Sequence, residues 1–223
     1  MAFRILVADD HEVVRRGLCA LLGSQPDWEV CGEAGDGREA VEKARTLKPD
    51  AAILDIGMPL LNGLEATRQI RKADPHIRVL ILTLHESDQV VREVLDAGAR
   101  GFLLKSDAAR DLAAAVEALR RDKTYFTSKV GAMVLEGYLK NGTGAAPAVI
   151  PVRNRLTPRE REIVQLLAEG KSTKEVAVTL GLSVKTAETH RSNIMRKLEL
   201  HSVSDLVMYA VRNNIVHVVQ LAV

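Results

Sequence analysis

The feature that most constrains this chain is a change of periodicity part-way along it. Short apolar runs rich in β-branched residues occur at Phe3–Ala8, Glu29–Glu33, Ala51–Leu54, Arg78–Leu82 and Gly101–Leu104. Helical patterns at 12–22, 38–47, 64–72, 88–97 and 108–121 separate and follow them. Pro49, Gly63, Pro75 and Gly98 fall at the joints, and Asp36 with Glu39 three positions on predicts a capping box. β-then-α units in unbroken order predict an α/β fold: a five-stranded parallel, doubly wound sheet with helices on both faces. Ligands of such sheets bind beyond the carboxyl ends of the strands.

The alternation stops at Asp122. A helix is expected over 127–140, and Asn141 to Pro151 reads as a flexible linker of Gly, Pro and small residues. After Pro151 every pattern is helical. Thr157-Pro158-Arg159-Glu160 combines an N-cap threonine, proline at the first helical position and a capping-box glutamate. Ser172 and Glu175 repeat the box for a helix ending at Leu180. Ser183 starts a third helix running to Leu198, and Ser202 with Asp205 opens a fourth. The tight turn Leu180-Gly181-Leu182-Ser183 between two helices predicts a helix-turn-helix. The expected organisation is residues 1–121, a connector at 122–152, and an all-α four-helix domain at 153–223.

Composition enters as a filter. Seven aromatics in 223 residues argue against a binder that stacks single-stranded bases. Two cysteines, Cys19 and Cys31, are too few for a disulfide framework or a four-ligand zinc site, and are expected as buried small hydrophobes. The N-terminus is too short and acidic for a signal peptide, and no apolar stretch approaches the ~18 residues of a membrane span. A cytoplasmic protein without a membrane partner is expected. The net charge of +2 divides unevenly: residues 1–150 hold 20 Lys+Arg and 22 Asp+Glu, whereas residues 151–223 hold 11 and 7. The first part is therefore −2 and the second +4.

Polar residues gather at the strand ends: Asp9 and Asp10 after strand 1, Asp55 after strand 3, Thr83 after strand 4 and Lys105 after strand 5. Three crowded carboxylates repel unless a divalent cation lies among them, and all-oxygen ligation with open water positions suits Mg²⁺. A metal-bound, partly desolvated carboxylate is able to attack phosphorus and form an aspartyl phosphate. The cation and Lys105 would neutralise the equatorial oxygens, with Thr83 donating a hydrogen bond to one of them. Any one of these residues alone is better read as a strand or helix cap; their conjunction is not. Gly32-Glu33-Ala34-Gly35-Asp36-Gly37 lacks phosphate-loop and dinucleotide spacing and reads as a turn. His11 and His85 lie near the site without metal-ligand spacing, so surface or supporting roles are expected.

Several stretches carry a family resemblance: Val7-Ala8-Asp9-Asp10-His11, Leu54-Asp55-Ile56-Gly57-Met58-Pro59, Leu82-Thr83 and Gly101-Phe102-Leu103-Leu104-Lys105. Leu156-Thr157-Pro158-Arg159-Glu160-Arg161 and the run from Ser183 to Asn193 add to these. Residues 3–121 resemble the receiver domain of two-component response regulators, residues 153–217 resemble the LuxR-type helix-turn-helix, and their order is that of the NarL/FixJ subgroup. The resemblance implies that Asp55 is the phosphoacceptor and a sensor histidine kinase the donor. It implies Mg²⁺ ligation by Asp10, Asp55 and the carbonyl of Gly57, with Asp9 ligating through water or orienting the site. Thr83 and Lys105 would bind phosphoryl oxygens, and Phe102 would be the switch aromatic coupled to Thr83. Ser106 stands where proline is common in the superfamily, so the cis peptide seen elsewhere is not expected.

The third helix of the second domain carries Lys185, Arg191, Arg196 and Lys197 against Glu188. Val184, Ala187, Ile194 and Leu198 follow helical spacing and are expected to face the core, which turns Lys185, Glu188, Thr189, Ser192 and Arg196 outward. Lys185 is suited to guanine, Glu188 to a cytosine amino group and Thr189 to a thymine methyl. Thr173, Lys174, Thr186, Arg191 and Lys197 are suited to phosphate contacts. A surplus this small predicts tight binding to double-stranded DNA only as a homodimer on paired half-sites. Val203, Leu206, Val207, Ala210 and Val211 would form its seam. The apolar stretch from Ile215 to Val223 is expected to pack on a neighbour.

The favoured function is therefore a DNA-binding regulator controlled by phosphorylation, not an enzyme. A phosphatase of the haloacid dehalogenase type also forms an aspartyl phosphate with Mg²⁺, but needs a second acid two residues after its nucleophile on the first strand; Asp55 is followed by Ile56-Gly57 on strand 3. The other rival is a DNA-binding or interaction protein that ignores phosphorylation, against which the complete acidic site speaks.

Overall fold

A computed structural model describes residues 2–84, 87–126 and 156–216. The chain divides into two compact units, residues 1–145 and 146–223. In the first, β1 (Phe3–Ala8), α1 (Glu12–Gly23), β2 (Trp28–Ala34), α2 (Gly37–Leu47), β3 (Ala51–Asp55), α3 (Gly63–Ala73), β4 (Arg78–Thr83), α4 (Asp88–Asp96), β5 (Gly101–Leu104) and α5 (Ala108–Arg120) follow one another. All strands are parallel, as the alternating pattern predicts, and their order is β2-β1-β3-β4-β5.

The period of two along each strand divides the core into two layers. Leu6, Ala52, Leu54, Val79, Ile81 and Phe102 pack with residues of α2, α3 and α4. Ile5, Val7, Ile53, Leu80, Leu82 and Leu103 pack with α1 and α5. The same parity decides which face each strand-end residue prolongs. Asp9, Asp55 and Lys105 continue the α1/α5 series, whereas Thr83 and Phe102 belong to the α4 side. Because β1 pairs with β2 on one flank and β3 on the other, the order reverses between β1 and β3, the place where such sheets bind ligands beyond the strand ends.

Local departures have local causes. Asp36 accepts the N–H groups of Arg38 and Glu39, but the Glu39 carboxylate takes the N–H of Gly35 instead of closing a box on Asp36. Cys31 is an extra residue in β2 opposite the Ile5–Leu6 step. Both cysteines are half-buried rather than buried. β5 stops at Leu104, so Lys105 opens a single 3₁₀ turn. The described peptide bonds are all trans, as expected at Ser106.

In the second unit the described helices are α6 (Pro158–Ala168), α7 (Thr173–Leu180), α8 (Val184–Lys197) and α9 (Val203–Arg212). The capping boxes Thr157/Glu160, Ser172/Glu175 and Ser202/Asp205 all form. Gly181 ends α7 at φ +62°, a left-handed conformation that glycine adopts without strain, and Ser183 then caps α8. The core comprises Ile163, Val164, Leu166, Val176, Ala177, Ala187, Ile194, Leu206 and Ala210. The helix expected over 127–140, the linker, His85 and the stretch beyond Val216 lie outside the described residues.

Candidate functional site

At the carboxyl edge of β1, β3 and β5 three charges meet. The Lys105 ammonium lies 2.8 Å from Asp9 Oδ2 and 3.1 Å from Asp55 Oδ2. Asp9 is 0% and Asp55 5% exposed, so two carboxylates share one cation out of water. Such a set is one positive charge short of neutrality. Asp9 Oδ2 is fully buried, and its partner is the Lys105 ammonium. Asp10, at the rim, stands within the same group: ligand atoms of Asp9, Asp10, His11 and Asp55 lie within 4.8 Å of one another. Carboxylate oxygens are the donors that Mg²⁺ takes, and these residues would supply them. The donor chemistry and the missing positive charge both match a small divalent cation.

The electrostatics follow from that burial. Desolvation pushes the Asp55 carboxyl above its ordinary value, Lys105 pulls it back, and Asp9 adds to the rise. Burial works against the charged form of Lys105, but Asp55 and Asp9 outweigh it and hold the ammonium above its usual value.

The backbone supports this geometry closely. A Cβ on Gly63 would sit 2.0 Å from the Asp55 carbonyl oxygen, and Gly63 donates its N–H to the Ile56 carbonyl at 3.0 Å. Only glycine lets α3 begin that near to β3. Gly57 lies in the bend leaving β3, two residues past Asp55. Thr83 (buried) ends β4 opposite Leu104, and Phe102 is fully buried two register positions back, opposite Ile81. His11 takes the supporting role expected of it, whereas sequence reasoning missed Arg15. His11 places Nδ1 2.7 Å from Asp10 Oδ1 and its N–H on Asp9 Oδ1 at 2.9 Å. Arg15 donates to the Asp9 carbonyl at 2.7 Å and to Glu33 at 3.1 Å. A one-turn offset along α1, from His11 to Arg15, was the available signal.

On the second unit, Lys174, Lys185, Thr186, Glu188, Thr189, Ser192 and Arg196 are exposed and Thr173 and Arg191 half-buried. Arg191 donates to Thr173 Oγ1 at 3.2 Å, joining α7 to α8. Lys197 is engaged with Glu160 at 2.7 Å, tying the end of α8 to the start of α6. Val184, expected in the core, is 39% exposed; it begins the helix at the edge of the buried stripe. The seam expected on α9 also needs correction. Leu206 and Ala210 are buried against the domain's own core, because they face α6, and cannot reach a second molecule. Val203 is exposed and Val207 and Val211 half-exposed one and two turns on, with Met208 beside them.

Residues 5–117 match the response regulator receiver domain, and residues 154–210 match the bacterial regulatory proteins of the luxR family. The chain is a response regulator of the NarL/FixJ type. This response regulator is similar to the transcriptional regulatory protein LiaR of Bacillus subtilis, with 40% identity over 96% of this chain and 99% of LiaR. It is also similar to RcsB of Salmonella enterica serovar Typhimurium, solved bound to promoter rprA in the presence of the phosphomimetic BeF3−. That likeness has a TM-score of 0.58 and 27% identity, covering 94% of this chain and 98% of that one. A further RcsB structure, of two dimers bound to two parallel DNAs, has a TM-score of 0.56 and 26% identity over 94% and 98%. The family is one of transcriptional regulators, not of classical enzymes. Among the described residues no helix is long and apolar enough to cross a membrane.

Proposed function

We propose that phosphorylation of Asp55 by a sensor histidine kinase switches a receiver domain (1–121), joined through a connector (122–152) to a DNA-binding domain (153–223) that regulates promoters. One observation carries this reading: Asp55 and Asp9 are buried around Lys105 at the strand ends, an arrangement short of one cation. Asp10, Asp55 and the Gly57 carbonyl would hold Mg²⁺, with Asp9 assisting. The ion supplies charge neutralisation at the phosphoryl oxygens. Lys105, anchored by Asp9, reaches Asp55 and would pair with the phosphoryl group attached there. Thr83 at the end of β4 would donate its hydroxyl to a phosphoryl oxygen.

Strand parity supports a route for the switch. Thr83 follows Val79 and Ile81 in the period of two on the face that Phe102 shares, so a shift of Thr83 toward the phosphoryl group would disturb the packing of Phe102 against that layer. On the DNA-binding domain, α8 would enter the major groove with Lys185, Glu188, Thr189, Ser192 and Arg196 outward. Thr173, Lys174, Thr186 and Arg191 would set register on phosphates, with Lys197 fixing α8 through Glu160. A homodimer on paired half-sites would use Val203, Val207 and Val211 of α9. This regulator would act in the cytoplasm.

The chemistry is tested by incubating the full chain with acetyl phosphate and Mg²⁺ and following intact mass. Wild type is expected to gain one phosphoryl group and Asp55→Asn none. Equal labelling of the variant would overturn the assignment.

A further inference from the structure

The first turn of α8 places an apolar side chain among charged ones. Val184 is 39% exposed, whereas Ala187 and Ile194 of the same helix are fully buried. At ~100° per residue Val184 lies about 60° round the helix from Ala187, toward Lys185 and Glu188. Around it the hydroxyls are used within the helix. Thr186 Oγ1 lies 2.7 Å from Ser183 Oγ, and Thr189 donates to the Lys185 carbonyl at 2.9 Å. The Lys185 and Glu188 side chains form no hydrogen bond or ion pair among the described residues. The outer surface here thus offers one free ammonium, one free carboxylate, the two methyl groups of Val184 and the single methyls of Thr186 and Thr189.

We propose that Val184 is a specificity-determining residue that packs against the C5-methyl of a thymine beside the base pair addressed by Lys185 and Glu188. The proposal rests on the DNA-binding reading above. The occupant is duplex DNA because the patch lies on the basic part of the chain, +4 over residues 151–223, at the start of a helix following a tight turn. Within a major groove the apolar group accessible to such a side chain is the thymine methyl, and the N-terminal residues of a recognition helix are the ones that reach base edges. Phosphate contact has no use for an isopropyl group.

The test begins by selecting duplexes from random DNA with the full-length protein. Each thymine of the selected half-site is then replaced by deoxyuridine, which removes the methyl and keeps every hydrogen bond. At one thymine per half-site wild type is expected to bind about fourfold more weakly, the effect of one methyl group returned to water. Val184→Ala and Val184→Thr are expected to bind the thymine duplex more weakly and to lose part of the wild-type response to deoxyuridine at that position, because each keeps only one methyl group there. Val184→Thr keeps the side-chain shape, and an unchanged far-UV spectrum establishes folding for both. Wild type insensitive to deoxyuridine at every position, or variants that keep the full wild-type sensitivity at the same thymine, would overturn the role of Val184 while leaving DNA binding intact. If no sequence is enriched, the DNA-binding reading fails, and this proposal with it.

Discussion

Replacing Lys105 with methionine isolates the electrostatics of the acidic site. It keeps a long unbranched stem but leaves Asp9 and Asp55, 0% and 5% exposed, facing each other without their shared cation. Removing one partner of a buried pair costs about 3–5 kcal/mol. The chain has an escape, which is to protonate one carboxylate. At pH 7 that costs ~1.4 kcal/mol for each pH unit above an ordinary carboxylate pKa, about 4 kcal/mol in all, which caps the penalty. At pH 5 the same cap is about 1.5 kcal/mol. The expected loss is therefore about 3–4 kcal/mol at pH 7 in EDTA, shrinking on acidification. Mg²⁺ at 100 times its dissociation constant is expected to restore about 2.7 kcal/mol. Urea denaturation of the full chain is suited to this, because its single tryptophan, Trp28, lies in β2 and reports the receiver unit alone. An unchanged midpoint at pH 7, or a loss as large at pH 5, would refute the reasoning.

Other outcomes follow from the same structure. Asp55 is raised chiefly by burial, so the native state holds its proton more firmly than the unfolded chain, and stability falls as pH rises out of the ordinary carboxylate range. Asp55→Asn is expected to lack that slope and, without divalent cations, to be at least as stable as wild type at pH 7; a markedly lower urea midpoint would contradict this. On α9, Val207→Glu is expected to leave a folded domain that binds single half-sites normally but paired half-sites roughly tenfold or more weakly. Leu206→Glu, at a site 1% exposed, should melt the domain. Gel shifts and far-UV melting check the pair, and the reverse pattern would reject the corrected seam. Burial pushes the Cys19 thiol to about 11, so its alkylation by iodoacetamide at pH 8 is expected to be roughly 100-fold slower than that of an ordinary thiol. Mass spectrometry at timed quenches would show otherwise if Cys19 reacts at the free rate.

Much of this architecture is written locally, and that is why it is legible without coordinates. The strands, their parallel arrangement and the caps at Thr157, Ser172, Ser183 and Ser202 depend on periodicity and on residues a few positions apart. Strand ends also locate Asp9, Asp55, Thr83 and Lys105, since the parallel sheet brings all carboxyl ends to one edge. What escaped sequence reasoning depends on direction across space. Glu39 turned to Gly35 instead of Asp36, and His11 turned to Asp10, because short polar side chains choose among nearby donors whose positions the fold sets. Helical spacing groups Leu206 with Val207 but cannot say which of them meets α6. Val184 shows the same limit: a stripe identifies a core face but not how far its edge stays covered at the first turn.

The central claim is that phosphate on Asp55 governs DNA binding. The most direct measurement is the affinity of the full-length protein for a selected operator, at fixed salt, with Mg²⁺ and with or without acetyl phosphate. The account predicts that acetyl phosphate changes the affinity of wild type and leaves that of Asp55→Asn unchanged. A wild-type affinity indifferent to phosphorylation, at full Asp55 labelling, would contradict it.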